Sequence, residues 1–154
     1  MKENIIKCLV ALLFAISIIG CTEKNNEDTK ITQRITGAGD CIENNGWSWS
    51  NGEAYAMEEH SSFCFTVKVS GELSFSYVCN RTSTSKPSYL KININDKQYF
   101  YNTETTSSHT CSLGNVKIGE TIVFTGTEYK VSHIQIVGDA TNQNNENPDN
   151  PWDF

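Results

Sequence analysis

Phe63-Cys64-Phe65-Thr66-Val67-Lys68-Val69-Ser70-Gly71-Glu72-Leu73-Ser74-Phe75-Ser76-Tyr77-Val78-Cys79 contains two alternating runs. Phe63, Phe65, Val67 and Val69 fall on one side of an extended chain, with Cys64, Thr66 and Lys68 on the other. Leu73, Phe75, Tyr77 and Cys79 then alternate with Ser74, Ser76 and Val78. Successive side chains of a strand point to opposite faces, so the pattern predicts two strands with one buried face each. If the runs form a hairpin, Ser70-Gly71-Glu72 is its loop. Val69 then faces Leu73, Val67 faces Phe75, and the apolar sides agree.

The same period continues downstream. Leu90, Ile92 and Ile94 alternate with Lys91, Asn93 and Asn95, and Asn95-Asp96-Lys97 reads as a turn into Gln98–Asn102. Gly119-Glu120 precedes the run Thr121–Thr125, and Lys130–Val137 carries Ile134 and Ile136. Short strands between turn signals predict an all-β fold, an antiparallel β-sandwich. One stretch departs from it: Glu53–His60, EAYAMEEH, is rich in helix formers and predicts one short helix near 53–60.

Both ends differ from this middle. Lys2 and Lys7 precede an apolar run, Cys8–Ile19, broken by Ser17. The run is too short for a bilayer, which needs ~20 residues, and has the length of a secretory signal core. It ends in Ile18-Ile19-Gly20-Cys21, which resembles the lipobox of bacterial lipoproteins. The resemblance implies cleavage before Cys21, diacylglycerol on its sulfur and a further acyl chain such as palmitate on its amine. Thr22, where an inner-membrane protein tends to carry aspartate, resembles an outer-membrane sorting signal. The acidic Glu23, Glu27 and Asp28 favour the cell surface over the periplasmic face. The expected organisation is a signal peptide over 1–20, lipidated Cys21 and a tether over 21–32, the β-sandwich domain over 33–138, and a polar disordered tail over 139–154. That tail ends in Trp152-Asp153-Phe154, a candidate docking peptide.

Without the first twenty residues the chain carries 10 basic and 17 acidic side chains, a net charge of −7. No basic stripe is present, so nucleic acid is not an expected partner. Gly71-Glu72-Leu73-Ser74-Phe75-Ser76-Tyr77, Tyr89-Leu90-Lys91-Ile92-Asn93-Ile94-Asn95 and Ile118-Gly119-Glu120-Thr121-Ile122-Val123-Phe124 together resemble the jelly-roll sandwiches of MAM and carbohydrate-binding-module domains. That resemblance implies a jelly-roll core and speaks to fold far more than to function. A tryptophan often found before the glycine turn in such domains is replaced here by the His109-Thr110-Cys111 region.

Four cysteines remain beyond Cys21, namely Cys41, Cys64, Cys79 and Cys111, and an exported chain with an even number predicts two disulfides. In the hairpin above, Cys64 and Cys79 face opposite ways. This leaves 41–64 with 79–111, the favoured set, or 41–79 with 64–111; the alternative is four free thiols. No close-spaced pair suits zinc. No cofactor is expected, although modules of the resembled type often hold structural calcium, for which Asp40 and Glu43 are the candidate oxygens.

The search for catalytic residues finds no nucleophile elbow, no H-E-x-x-H and no P-loop. His60 beside Glu58 and Glu59, and His109 near Cys111, are the nearest approaches to a reactive set. Aromatic residues are the stronger signal. Trp47-Ser48-Trp49 lies in a Gly/Asn-rich stretch, and Tyr99 and Tyr101 share a face opposite Phe100. Flat rings stack on sugars and anchor interfaces, which makes Trp47, Trp49, Tyr99 and Tyr101 the ligand-binding candidates. The expected function is a non-enzymatic, lipid-anchored binding module for a glycan or an envelope or extracellular protein. The alternatives are a structural or inhibitory lipoprotein acting on another envelope protein and, behind it, a hydrolase.

Overall fold

The computed structural model describes residues 29–56, 58–81, 87–103 and 106–141, so Cys21, the signal segment and Trp152-Asp153-Phe154 lie outside the described residues. The strands are β1 (Lys30–Ile35), β2 (Glu43–Asn45), β3 (Trp47–Ser50), β4 (Glu53–Ala56), β5 (Ser61–Thr66), β6 (Gly71–Cys79), β7 (Tyr89–Ile94), β8 (Lys97–Asn102), β9 (His109–Val116), β10 (Thr121–Thr127) and β11 (Tyr129–Asp139). A 3-10 turn, Ala38–Asp40, follows β1. The first sheet runs β3-β4-β11-β6-β9 with β1 also on β11, and the second runs β2-β5-β10-β7-β8. Every pairing is antiparallel. The all-β sandwich expected from the alternation is the observed architecture. β1 begins at Lys30, within the stretch read as tether.

The apolar stripes of both sheets meet in one core. Phe124 of β10 stacks on its in-register neighbour Phe63 of β5, with ring centroids 4.8 Å apart. From the facing sheet, Phe75 of β6 meets Phe124 edge-on at 5.4 Å. Edge and offset geometries suit the ring quadrupoles, so the aromatic centre is both apolar and geometrically specified.

The structure corrects the hairpin and the helix. β5 and β6 lie in different sheets, so the chain crosses between sheets over 67–70, and Gly71 and Glu72 already belong to β6 rather than to a hairpin loop. Both runs alternate because each presents its apolar face to the same core from opposite sides. Glu53–Ala56 is a strand, and no helix forms there. Its alanines are buried and stand opposite tryptophans: Ala54 faces Trp49 and Ala56 faces Trp47. A small residue beside each indole leaves room for the ring, and this packing outweighs the helix propensity of the stretch. Asn51 and Gly52, with φ of 51° and 77°, close the β3–β4 hairpin in the positive-φ conformation that an Asn-Gly pair favours.

Candidate functional site

The outward face of the second sheet collects rings and hydrogen-bonding side chains. Register builds it in rows. Ser62, Thr125, Lys91 and Tyr101 form one row across β5, β10, β7 and β8, and Cys64, Val123, Asn93 and Gln98 form the next. Opposite residues of an antiparallel pair share a face, so these side chains stand together above the sheet.

Tyr101 is 57% exposed. Its ring stacks on Tyr89 with centroids 6.2 Å apart and planes 20° from parallel. The Tyr89 hydroxyl lies 2.6 Å from His60 Nδ1, and burial pushes the Tyr89 phenol above its ordinary pKa. His60 itself sits at φ 59°, with its backbone N–H donating to Thr127 Oγ1. The pair is therefore braced from β5's entry and from β10. The β7–β8 hairpin turns through Asn95 and Asp96, with φ of 47° and 65°, as the asparagine-rich turn signal predicts. Tyr99 is the extra residue of a bulge in β8 and lies exposed under Lys97, whose Nζ is 5.4 Å from the ring centroid. Asn93, between Val123 and Gln98, holds a buried Oδ1 without a hydrogen-bond partner among the described residues.

Of the four aromatic candidates, then, the structure leaves Tyr99 and Tyr101 on an open face, removes Trp47 to the core and packs the half-buried Trp49 against it. Trp47 is 4% exposed, and both indoles meet Phe63 edge-on, at 5.0 and 5.1 Å. Alternation does place both tryptophans on one side of β3, and that side faces inward. Tyr89 and His60 were not among the sequence candidates for this face. Tyr89 opens the Leu90-Ile92-Ile94 stripe on its polar side, the signal that marks it as outward.

The cysteines also depart from expectation. Cys41, Cys64, Cys79 and Cys111 are free thiols. Cys111 stands opposite Phe75, four positions along β6 from Cys79, so the two are ~13 Å apart at the rise of a strand. A disulfide needs Cα atoms within about 7 Å, which excludes 79–111. Cys64 points outward from the second sheet while Cys111 packs against the core from the first, so 64–111 fails as well. Cys41 and Cys64 are neighbours, with Ile42 N–H donating to the Cys64 carbonyl at 2.8 Å. Burial first, then the charge of Asp40 and the nearby Cys64, pushes the Cys41 thiol up to about 11. Burial likewise raises Cys111, away from thiolate, and His109 stacks on Tyr77 with its Nε2 bonded to Ser107 Oγ.

Asp40 spends its carboxylate on the turn after β1. Its Oδ2 accepts the Thr36 N–H at 2.7 Å, the Thr36 hydroxyl and the Gly37 N–H, and the Thr36 backbone bond leads in holding it below the usual range. Among the described residues no three His, Cys, Asp or Glu side chains gather as a metal cluster.

No family model matches the chain, and no curated protein matches it. Solved structures do. A family two carbohydrate esterase from Cellvibrio japonicus is 15% identical with a TM-score of 0.51, over 72% of this chain and 34% of its own. The secreted serine protease VesC from Vibrio cholerae is 15% identical with a TM-score of 0.47, over 57% of this chain and 22% of its own. The C-terminal CBM6 of LamC, a marine laminarinase from Zobellia galactanivorans, is 9% identical with a TM-score of 0.47, over 72% of this chain and all of its own. The chain thus spans about a third of the esterase and less than a quarter of the protease. The esterase shares the sandwich fold, and at this identity the likeness stops at fold.

Proposed function

We propose that this chain is a non-enzymatic binding module that presents the outward face of its second sheet to a glycan. The carrying observation is the stacked Tyr89–Tyr101 pair, with Tyr101 open to solvent, beside Lys91, Thr125, Asn93 and Gln98. The C–H face of a sugar ring stacks on an aromatic ring, while hydroxyl, amide and ammonium groups bond its hydroxyls. The Tyr89–His60 contact fixes one ring in advance, which lowers the ordering cost of binding. The test is affinity electrophoresis and a glycan array, followed by Tyr101→Ala. Affinity for the glycan bound is expected to fall about tenfold, the effect of losing ~1.4 kcal/mol of ring contact. The domain should stay folded, because the side chain is exposed. A blank array, or unchanged affinity in the variant, refutes the reading.

The proposal includes display at the outer membrane through lipidated Cys21, on the cell-surface side. The lipobox-like Ile18-Ile19-Gly20-Cys21 supports it, and β1 starting at Lys30 leaves a short polar stretch between anchor and domain. Each buried methylene adds ~0.8 kcal/mol, so two or three acyl chains hold the protein on a membrane stably. Cys21→Ala should shift the protein out of the membrane fraction or leave an uncut precursor. Recovery of the variant as a mature membrane protein refutes the anchor.

A further inference from the structure

Two strands share one edge of β11. β4 pairs with Lys130–Ser132 and β1 with Ile134–Asp139, while β6 takes the opposite edge. Between those stretches β11 bulges: its register with β6 shifts between Ser132 and Gln135. His133, inside the bulge, has φ 53°, a conformation a non-glycine residue holds only where its surroundings fix it. The gap left between β1 and β4 opens as a cleft of about 550 Å³, whose lining includes Arg34, Thr36, Asn51, Glu53, His133 and Gln135.

The polar groups around this cleft are unevenly committed. Glu53 accepts hydrogen bonds from the Tyr55 hydroxyl and, at 3.0 Å, from the Lys130 ammonium, and these bonds lower its pKa. Asp40, behind Thr36, is occupied by the turn it caps. Arg34 stands in register with Gln135 and has no hydrogen-bond or ion-pair partner among the described residues. His133 Nδ1 lies 3.1 Å from Ser132 Oγ, which leaves Nε2 as the second uncommitted group.

We infer that this cleft binds the carboxylate of a small polar ligand. A guanidinium presents its donors in a planar fork that matches both oxygens of a carboxylate. The side-chain amides of Asn51 and Gln135 add neutral donors and acceptors for the rest of the molecule. The bulge accounts for the site: it interrupts pairing along one strand edge and leaves side chains from three strands around the opening. This site is on the other sheet from the tyrosine face and stands independently of the glycan reading.

The test is chemical-shift mapping on the full chain with paired probes at millimolar concentration. D-glucuronate is compared with glucose, and N-acetylglycine with N-acetylglycinamide. At least one carboxylate is expected to move the backbone amides of Arg34, Gly52 and Gln135, with its neutral twin silent. Response to glucuronate identifies a sugar acid as the source, and response to N-acetylglycine a chain terminus. Arg34→Gln should weaken that binding about tenfold or more, and Tyr101→Ala should leave it unchanged. Silence of both carboxylates, equal response to the neutral twins, unchanged affinity in Arg34→Gln, or loss in Tyr101→Ala overturns the inference.

Discussion

Phe124→Ala is expected to destabilise the domain by about 3–5 kcal/mol, the range for a fully buried phenylalanine truncated in a rigid core. Phe124 has no exposed surface and touches three other rings: Phe63 and Phe65 beside it in the sheet, and Phe75 from the facing sheet. Its removal takes away contacts within one sheet and between the two. The remaining rings are held by their own strands, so the void does not close. Domains of this size are stable by roughly 5–15 kcal/mol, so the variant stands near the edge of folding. Phe124→Leu, which keeps most of the volume, is the companion and should cost about 1–1.5 kcal/mol. Urea unfolding of both, with midpoints compared at equal slopes, checks the result. A loss below about 1 kcal/mol for the alanine variant refutes the central position of this ring.

Gly71→Ala is expected to cost about 3 kcal/mol or more, beyond ordinary overpacking, because the obstacle is backbone. A Cβ on Gly71 would lie 2.2 Å from the Val137 carbonyl oxygen, 2.5 Å from its carbon and 2.7 Å from Gly138 Cα. None of these atoms can rotate aside. β6 would have to move off β11, and their shared register from Tyr129 to Val137 would loosen at that end. Gly39→Ala is the control, since a Cβ there meets nothing within 4 Å and the change should stay within about 0.5 kcal/mol. Thermal melts that shift equally for the two variants contradict the close approach. This contact also gives a physical reason for the glycine that opens Gly71-Glu72-Leu73-Ser74-Phe75-Ser76-Tyr77: the first position of the strand passes against another backbone.

The candidate site was half legible. Period two grouped Tyr99 with Tyr101 opposite Phe100, and that both lie exposed was decided by the fold. Trp47 and Trp49 could not be assigned, since period two puts both on one side of a strand without saying which side is covered. The deciding contact is with Phe63, on a strand of the other sheet. Tyr89 escaped notice because the stacking partner that gives it a role, Tyr101, is reached only through the β7–β8 pairing. The favoured cysteine set divides: Cys41 and Cys64 are neighbours, whereas four residues of β6 separate Cys79 from the position opposite Cys111. That separation depends on the β6–β9 register, which alternation along one strand does not contain.

Alternation along Phe63–Val69, Leu73–Cys79 and Leu90–Ile94 was enough, by itself, to determine an all-β chain with a buried side on each strand. The period of side-chain direction is a property of the extended backbone and needs no tertiary partner. Which strand lies beside which was decided only in three dimensions. A strand facing another across a core and a strand hydrogen-bonded beside it show the same alternation. Choosing between them requires every backbone donor and acceptor to be paired while all the apolar faces close on one interior. That global condition sends β5 to β10 and β6 to β11. It also turns the tryptophans inward, opens the tyrosine face, and leaves the gap at His133 where β1 and β4 divide one edge.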